Sequence, residues 1–370
     1  MSEYQYYEFQ TIDRLLTEEE QQEVNELSSH IDVTASSAVV TYNWGNFKHD
    51  PREVVARYFD ALLYTANWGT RRLIFRFPTT VLEPAKIEPY CVDGYVSLNA
   101  AGRYWLLEIE LEEEGGLEEP QGELSDVIQL RNDISEGDYR ALYLAWLMAA
   151  TLGDPDKDDD EPEPPVPAGL QHLTPALWRF VEFFDIDPYL VQSAAAASPA
   201  PAPAIPDKAL KAAIAQLPPE ESQVFLLRLA QGEAGLYLTL RHRLLAMIGQ
   251  AEPTQPQPRR RTLAQLKRMA EQQRRKEEQR RAEEAEKRRI EELKLLAQRE
   301  AQVWAAIETR LQHSHQPKAY DDAVAQLSQL RELAEFQHTQ AEFQKRMQQL
   351  ALQYRSRPSF IERLEKAQLV

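Results

Sequence analysis

The triplet Asn-Trp-Gly occurs twice, at Asn43–Gly45 and at Asn67–Gly69, and paired arginines follow the second copy. Tryptophan together with arginine is typical of interaction hot spots, and guanidinium groups bind anions. A structural interpretation competes with this one, because Gly69 could end a preceding helix and both rings could belong to the core. The candidate binding residues in these tracts are Trp44, Trp68, Arg71 and Arg72.

Three consecutive arginines, Arg259, Arg260 and Arg261, open a basic stretch that continues to Lys276. Such a run could neutralise phosphates in a contact that is independent of base sequence and sensitive to salt. Acidic residues interleave from Glu271 onward, however, and no aromatic residue accompanies the run to stack on bases. The pattern favours a solvated charged face, and it leaves phosphate-backbone binding as a second hypothesis.

The remaining reactive side chains give no recognised site. Glu108 and Glu110 are spaced like magnesium ligands, but the lysine expected beside such ligands is missing, which favours a solvated strand face. Cys91 is the only cysteine, so an internal disulfide and a cysteine-built metal site are excluded. Only His313 and His315 of the seven histidines are close, and two imidazoles need further ligands to hold zinc. We therefore predict no metal, no cofactor and no catalytic residue.

The elements before residue 153 alternate between strand and helix patterns. A capping box at Thr17–Glu20 opens one helix, and Asp50-Pro51 opens a second that we expect to run to about Ala66. Segments 95–98 and 104–111 read as a hairpin. We predict an α+β domain with a mixed sheet at 1–152.

Proline-rich segments divide the rest of the chain. An acidic linker is predicted at 153–169, and a Pro/Arg linker at 251–261. Between them we expect a small helical domain at 170–250, interrupted by a linker at 198–206.

The clearest pattern is one long charged helix at 262–312, which contains no glycine or proline. At about 1.5 Å per residue it would extend on the order of 75 Å. Its composition is typical of a coiled coil, but Glu271 to Arg289 lacks an apolar seam, whereas acid-first i,i+4 pairs such as Glu277 and Arg281 support a single helix. Apolar periodicity returns at Ile290, which predicts a C-terminal three-helix bundle at 290–370.

Net charge and hydropathy limit the kinds of partner that this chain is expected to bind. The net charge is -17, and residues 259–370 carry 24 Lys+Arg against 17 Asp+Glu, so residues 1–258 carry -24. No stretch approaches the roughly 18 apolar residues that a membrane span needs. The N-terminus also lacks the pattern of a signal peptide. We expect a cytoplasmic protein that does not bind membranes.

Four tracts resemble a family of uncharacterised bacterial proteins. They are Tyr6–Arg14, Tyr42–Lys48, Ala66–Arg72 and Phe360–Leu364. The resemblance spans the chain and implies a bacterial origin, but it implies no activity, cofactor or partner.

These observations lead to three functional hypotheses. The first is a cytoplasmic interaction or scaffold protein, which binds a protein partner or itself and uses the charged helix as a rigid arm between modules. The second is a nucleic-acid-associated protein that contacts phosphates through Arg259–Arg261. The third, with the least support, is an enzyme with its site near the Trp-Gly and Arg-Arg tracts.

Overall fold

The computed structural model describes residues 3–112, 122–152, 162–201, 206–231, 236–248, 260–314 and 316–370. The chain divides into two compact units, Met1–Arg274 and Arg275–Val370. Most of both predicted linkers, including Arg259, lies outside the described residues, as does His315.

One antiparallel sheet organises the first unit, with strand order β2-β3-β1-β4-β5-β7-β6. The strands are β1 Gln5–Gln10, β2 Ile31–Val33, β3 Ser37–Tyr42, β4 Ala61–Ala66, β5 Arg71–Pro78, β6 Val96–Ala101 and β7 Tyr104–Leu111. The α+β class is confirmed, but the sheet is not mixed, since every neighbouring pair is antiparallel. Short connections join β4 to β5 and β6 to β7, whereas parallel neighbours need a long crossover.

Helices flank the sheet and form most of the rest of the described chain. Those of the first unit are α1 Glu18–Asn25, α2 Pro51–Tyr58, α3 Pro84–Ile87, α4 Leu124–Val127, α5 Gln129–Ser135, α6 Arg140–Leu152, α7 Pro175–Phe183, α8 Pro188–Ala195, α9 Asp207–Gln216, α10 Pro219–Ala230 and α11 Leu236–Ile248. They are followed by α12 Leu263–Gln298, α13 Glu300–His313, α14 Pro317–Phe336, α15 Gln340–Gln353 and α16 Pro358–Lys366. No helix in the described ranges is long and apolar enough to cross a membrane.

The sheet has a covered core on each face, because successive side chains of a strand point to opposite sides. Face A carries Tyr7, Tyr64 and Ile74, and it packs against α1 and α2. Face B carries Leu73 and Phe75, and it packs against α4 to α8. The site described below lies at one end of face A.

The segment expected to form one small helical domain at 170–250 contributes to two cores. Helices α7 and α8 place Phe180 and Leu190 in the core of face B. By contrast, α9 and α11 share a separate small core of Ala213, Leu217 and Leu244. The proline-rich segment predicted at 198–206 lies between these two groups.

The long charged helix begins as predicted but is not continuous to Gln312. Helix α12 ends at Gln298, and α13 begins at Glu300, with Arg299 at the junction. Neither glycine nor proline is present at this junction. Helices α13 to α16 share one core, in which Trp304 is almost fully buried.

Candidate interaction site

Both Asn-Trp-Gly triplets lie at the same end of the sheet, on either side of β1. Gln5 of β1 is opposite Tyr42 at the end of β3 and opposite Ala66 at the end of β4. Each triplet begins directly after its strand. Since neighbouring strands are about 4.8 Å apart, the triplets start roughly 10 Å from each other. We call this region, made of Gln5 and the two triplets, the Trp end.

The two tryptophan rings of the Trp end are exposed to solvent, Trp44 to 69% and Trp68 to 43%. Gly45 and Gly69 have φ angles of 88° and 109°, a region that residues with a side chain rarely adopt. Gly69 lies in the hairpin between β4 and β5, so the prediction that it ends a helix is wrong. The two turns that present the rings therefore depend on glycine.

Hydrogen bonds to Gln5, the first residue of β1, and to Tyr4 directly before it hold both turns. The Gln5 side-chain amide donates to Gly45 O and to Asn46 Oδ1, both at 2.8 Å. In the other turn, Asn67 N–H donates to Tyr4 O, and its Oδ1 accepts from Tyr4 N–H, both at 3.0 Å. The chain at the start of β1 thus holds the turn on each side of it.

Two buried phenols fix the orientation of the Gln5 amide. The hydroxyls of Tyr7 and Tyr64 donate to Gln5 Oε1 at 2.9 and 3.1 Å, and the ring centroids are 4.4 Å apart. Burial raises the pKa of both Tyr7 and Tyr64, so both phenols stay protonated and can donate. Because the amide oxygen of Gln5 accepts from the two tyrosine hydroxyls, its amide nitrogen must face the turn that carries Trp44.

A charged network lies on face A next to the Trp68 hairpin. Arg72 of β5 pairs with Glu110 of β7, and its Nε is 3.3 Å from Glu108 Oε1. Arg52 at the start of α2 donates from Nε to Glu108 Oε2 at 2.7 Å. Glu108 is buried, so its interpretation as part of a solvated strand face is wrong. Sequence spacing gave no signal for Arg52, because α2 reaches Glu108 only in the folded chain.

The network balances its charges, since two guanidinium groups face two carboxylates. The hydrogen bond to Glu108 raises the pKa of Arg52, so its guanidinium stays protonated. Within the described residues, no group of three or more His, Cys, Asp or Glu could hold a metal ion.

Arg71 belongs to the opposite face from Arg72, because neighbouring residues of a strand alternate. It is buried, and its Nη1 donates to Phe183 O at 2.9 Å. The structure thus separates the two arginines that the sequence grouped together. Arg72 lies at the Trp end on face A, and Arg71 ties β5 to α7.

The arginine triplet is also divided. Arg260 is exposed, whereas the half-buried Arg261 forms an ion pair with the buried Glu163, with Nε to Oε1 at 2.8 Å. Glu163 Oε2 also accepts from Tyr143 Oη at 2.6 Å, and Arg261 Nη1 donates to Ser193 O at 2.7 Å. We call Glu163, Arg261 and Tyr143 the clasp. The clasp uses the Arg261 guanidinium, which the sequence predicted to bind phosphate. Nothing in the spacing of Glu163, Arg261 and Tyr143 indicates that they pair.

The clasp joins two segments that are far apart in sequence. Glu163 N–H donates to Arg261 O at 2.7 Å, and a β-bridge links Pro162 to Thr262. Directly after it, Leu263, Leu266 and Ala270 of α12 enter the core of face B. The start of the charged helix is thereby fixed to the first unit.

The chain matches no protein-family model, no curated protein and no solved structure. The assignment of a site thus depends on geometry alone. Among the residues expected to bind, Trp44, Trp68 and Arg72 lie at one end of the sheet, and Arg71 and Arg261 serve internal packing.

Proposed function

We propose that this protein is an interaction protein and that it binds a partner protein through the Trp end. The observation that carries the proposal is the exposure of Trp44 and Trp68 on two glycine turns held by the same strand. Tryptophan is enriched among the residues that dominate binding energies. One exposed apolar side chain is ordinary, but two large rings on fixed turns form a pre-organised contact surface.

Polar residues around the rings support the same function. Arg72 and Glu110 are partly exposed and lie at the hairpin that carries Trp68. Interfaces commonly combine an apolar centre with a polar rim. Because the Arg72–Glu110 pair is already formed, its hydrogen-bonding groups need little reordering when a partner arrives.

In the proposed function, the charged helix α12 is the arm of a cytoplasmic scaffold. Its first turns are anchored in the core of the first unit, and its residues from Gln272 to Arg289 are exposed or half-buried. Glu277 accepts hydrogen bonds from Arg280 and Arg281 within the helix. Local pairs of this kind support a helix that no second helix covers.

Affinity capture from a lysate of the native host tests the role of the rings. We compare the wild type with a Trp44→Ala/Trp68→Ala variant and with Trp178→Ala as control, since Trp178 on α7 is 42% exposed, as Trp68 is 43% exposed. We expect the double variant to lose a partner that the control retains. With the purified partner, the loss should reach about 2 kcal/mol, or roughly 30-fold in Kd. Equal partner sets for both variants, with unchanged melting curves, would refute the proposal.

A further inference from the structure

Helix α10 exposes apolar side chains along most of its length. Val224, Leu226, Leu227 and Leu229 are each more than half exposed, and α10 has no buried residue. Its half-buried Glu221 accepts from Arg243 of α11 at 2.7 Å, so that side of the helix faces α11. Val224 and Leu227 lie one turn apart on the same side of the helix, and exposed apolar side chains grouped in this way mark an interaction site.

Among the residues that the structure describes, those around α10 do not bury this surface. The core shared by α9 and α11 contains Ala213, Leu217 and Leu244 among the described side chains, and α10 contributes to none of it. Ile214 of α9 is also about half exposed and adds to the apolar area of these helices. A partner that covers α10 would therefore complete a small and open helical module.

Local charge permits a second copy of this chain to approach here. Residues 206–248 contain five Lys or Arg and four Asp or Glu, although residues 1–258 as a whole are strongly acidic. Two such modules therefore repel each other little. The acidic remainder of the first unit would repel its copy much more strongly at most other contact points.

The ends of α10 indicate the direction of pairing. Glu220 and Glu221 lie in its first turn, and Arg228 lies in its last turn. Glu220, Val224 and Arg228 follow one another at four-residue intervals, so an antiparallel copy centred on Val224 brings Glu220 close to Arg228 of the other copy on both sides of the apolar contact. In this arrangement the two helix dipoles also point in opposite directions. A parallel copy would place like charges together.

We propose that this chain forms a two-fold symmetric dimer in which α10 packs antiparallel against α10 of a second copy. In this dimer the same surface is used by both copies, as is usual for symmetric dimers. Val224 and Leu227 of the two helices cover each other near the symmetry axis. The proposal does not depend on the Trp end.

Sedimentation equilibrium of the full chain tests the apolar contact. Leu227→Ser is compared with Leu15→Ser, because Leu227 is 59% exposed and Leu15, on the sheet domain, is 65% exposed. We expect a wild-type dimer, a roughly tenfold or larger increase in its Kd with Leu227→Ser, and no change with Leu15→Ser. A wild-type monomer at concentrations up to about 100 µM, or equal effects of the two variants, would overturn the dimer.

A charge swap tests the antiparallel direction. Glu220→Arg and Arg228→Glu should each weaken the dimer, because each places like charges in contact across the interface. The combined variant should recover most of the wild-type affinity. If the combined variant is no stronger than either single one, the antiparallel arrangement is wrong. Circular dichroism shows whether each variant keeps its helical content.

Discussion

The clasp gives the sharpest prediction for stability. Glu163→Ala removes the carboxylate that binds Arg261 and Tyr143 in a buried environment. Removing one partner of a buried ion pair generally costs about 3–5 kcal/mol, because the other charge stays buried. Arg261 keeps two acceptors, Ser193 O and Ala194 O. We therefore expect the lower end of that range, about 3 kcal/mol.

Hydrogen exchange measured by mass spectrometry locates this loss. The amides of Leu263 to Ala270 should exchange about 100-fold faster in Glu163→Ala, since each 1.4 kcal/mol is a factor of ten. Glu277→Gln in the same helix is the control, because Glu277 makes only solvent-exposed pairs with Arg280 and Arg281. Its exchange should match the wild type. Wild-type protection of the α12 start in Glu163→Ala would refute an anchoring role for the clasp.

Two further predictions concern the sheet. Burial alone would raise the pKa of Asp60, but the charges of Arg131 and Arg76 and two backbone amides lower it. A lowered pKa stabilises the fold above about pH 4 and loses this effect as the pH falls further. Urea unfolding should therefore show a free energy that drops below pH 4, and a smaller drop in Asp60→Asn; equal drops would contradict this. Gly69→Ala should cost about 1–3 kcal/mol because of its positive φ, and an unchanged melting temperature would show that the turn does not need glycine.

The sequence correctly predicted those helices and strands that are determined by residues close to one another in the chain. The capping box of Thr17 and Glu20 opens α1 as expected, and Asp50 caps the helix that begins at Pro51. The predicted hairpin corresponds to β6 and β7. In each case, residues close in sequence provide the hydrogen bonds that start or join the element.

Strand β4 was missed because it is buried on both faces. All six residues from Ala61 to Ala66 are buried, so the run has no alternation between apolar and polar positions. Such a run continues the apolar pattern of α2, and periodicity cannot separate the two. Only its pairing with β1 and β5 in the centre of the sheet makes it a strand.

The candidate site depends on contacts that composition cannot specify. Trp44 and Trp68 could have been core residues with the same neighbours in sequence, and their exposure follows from the register of β1 with β3 and β4. Alternation along β5 separates Arg71 from Arg72. Glu163 and Arg261 are 98 positions apart, and each lies in a segment that was predicted to be a linker, so the sequence gives no sign of their pairing.

Site-specific photo-crosslinking in cells tests the central claim most directly. A photoreactive phenylalanine analogue replaces Trp44, Trp68 or Trp178 in separate variants of the full chain. If the Trp end is one interaction surface, positions 44 and 68 should form adducts with the same protein, and position 178 should not. No shared adduct at positions 44 and 68, or the same adduct at position 178, would contradict the assignment.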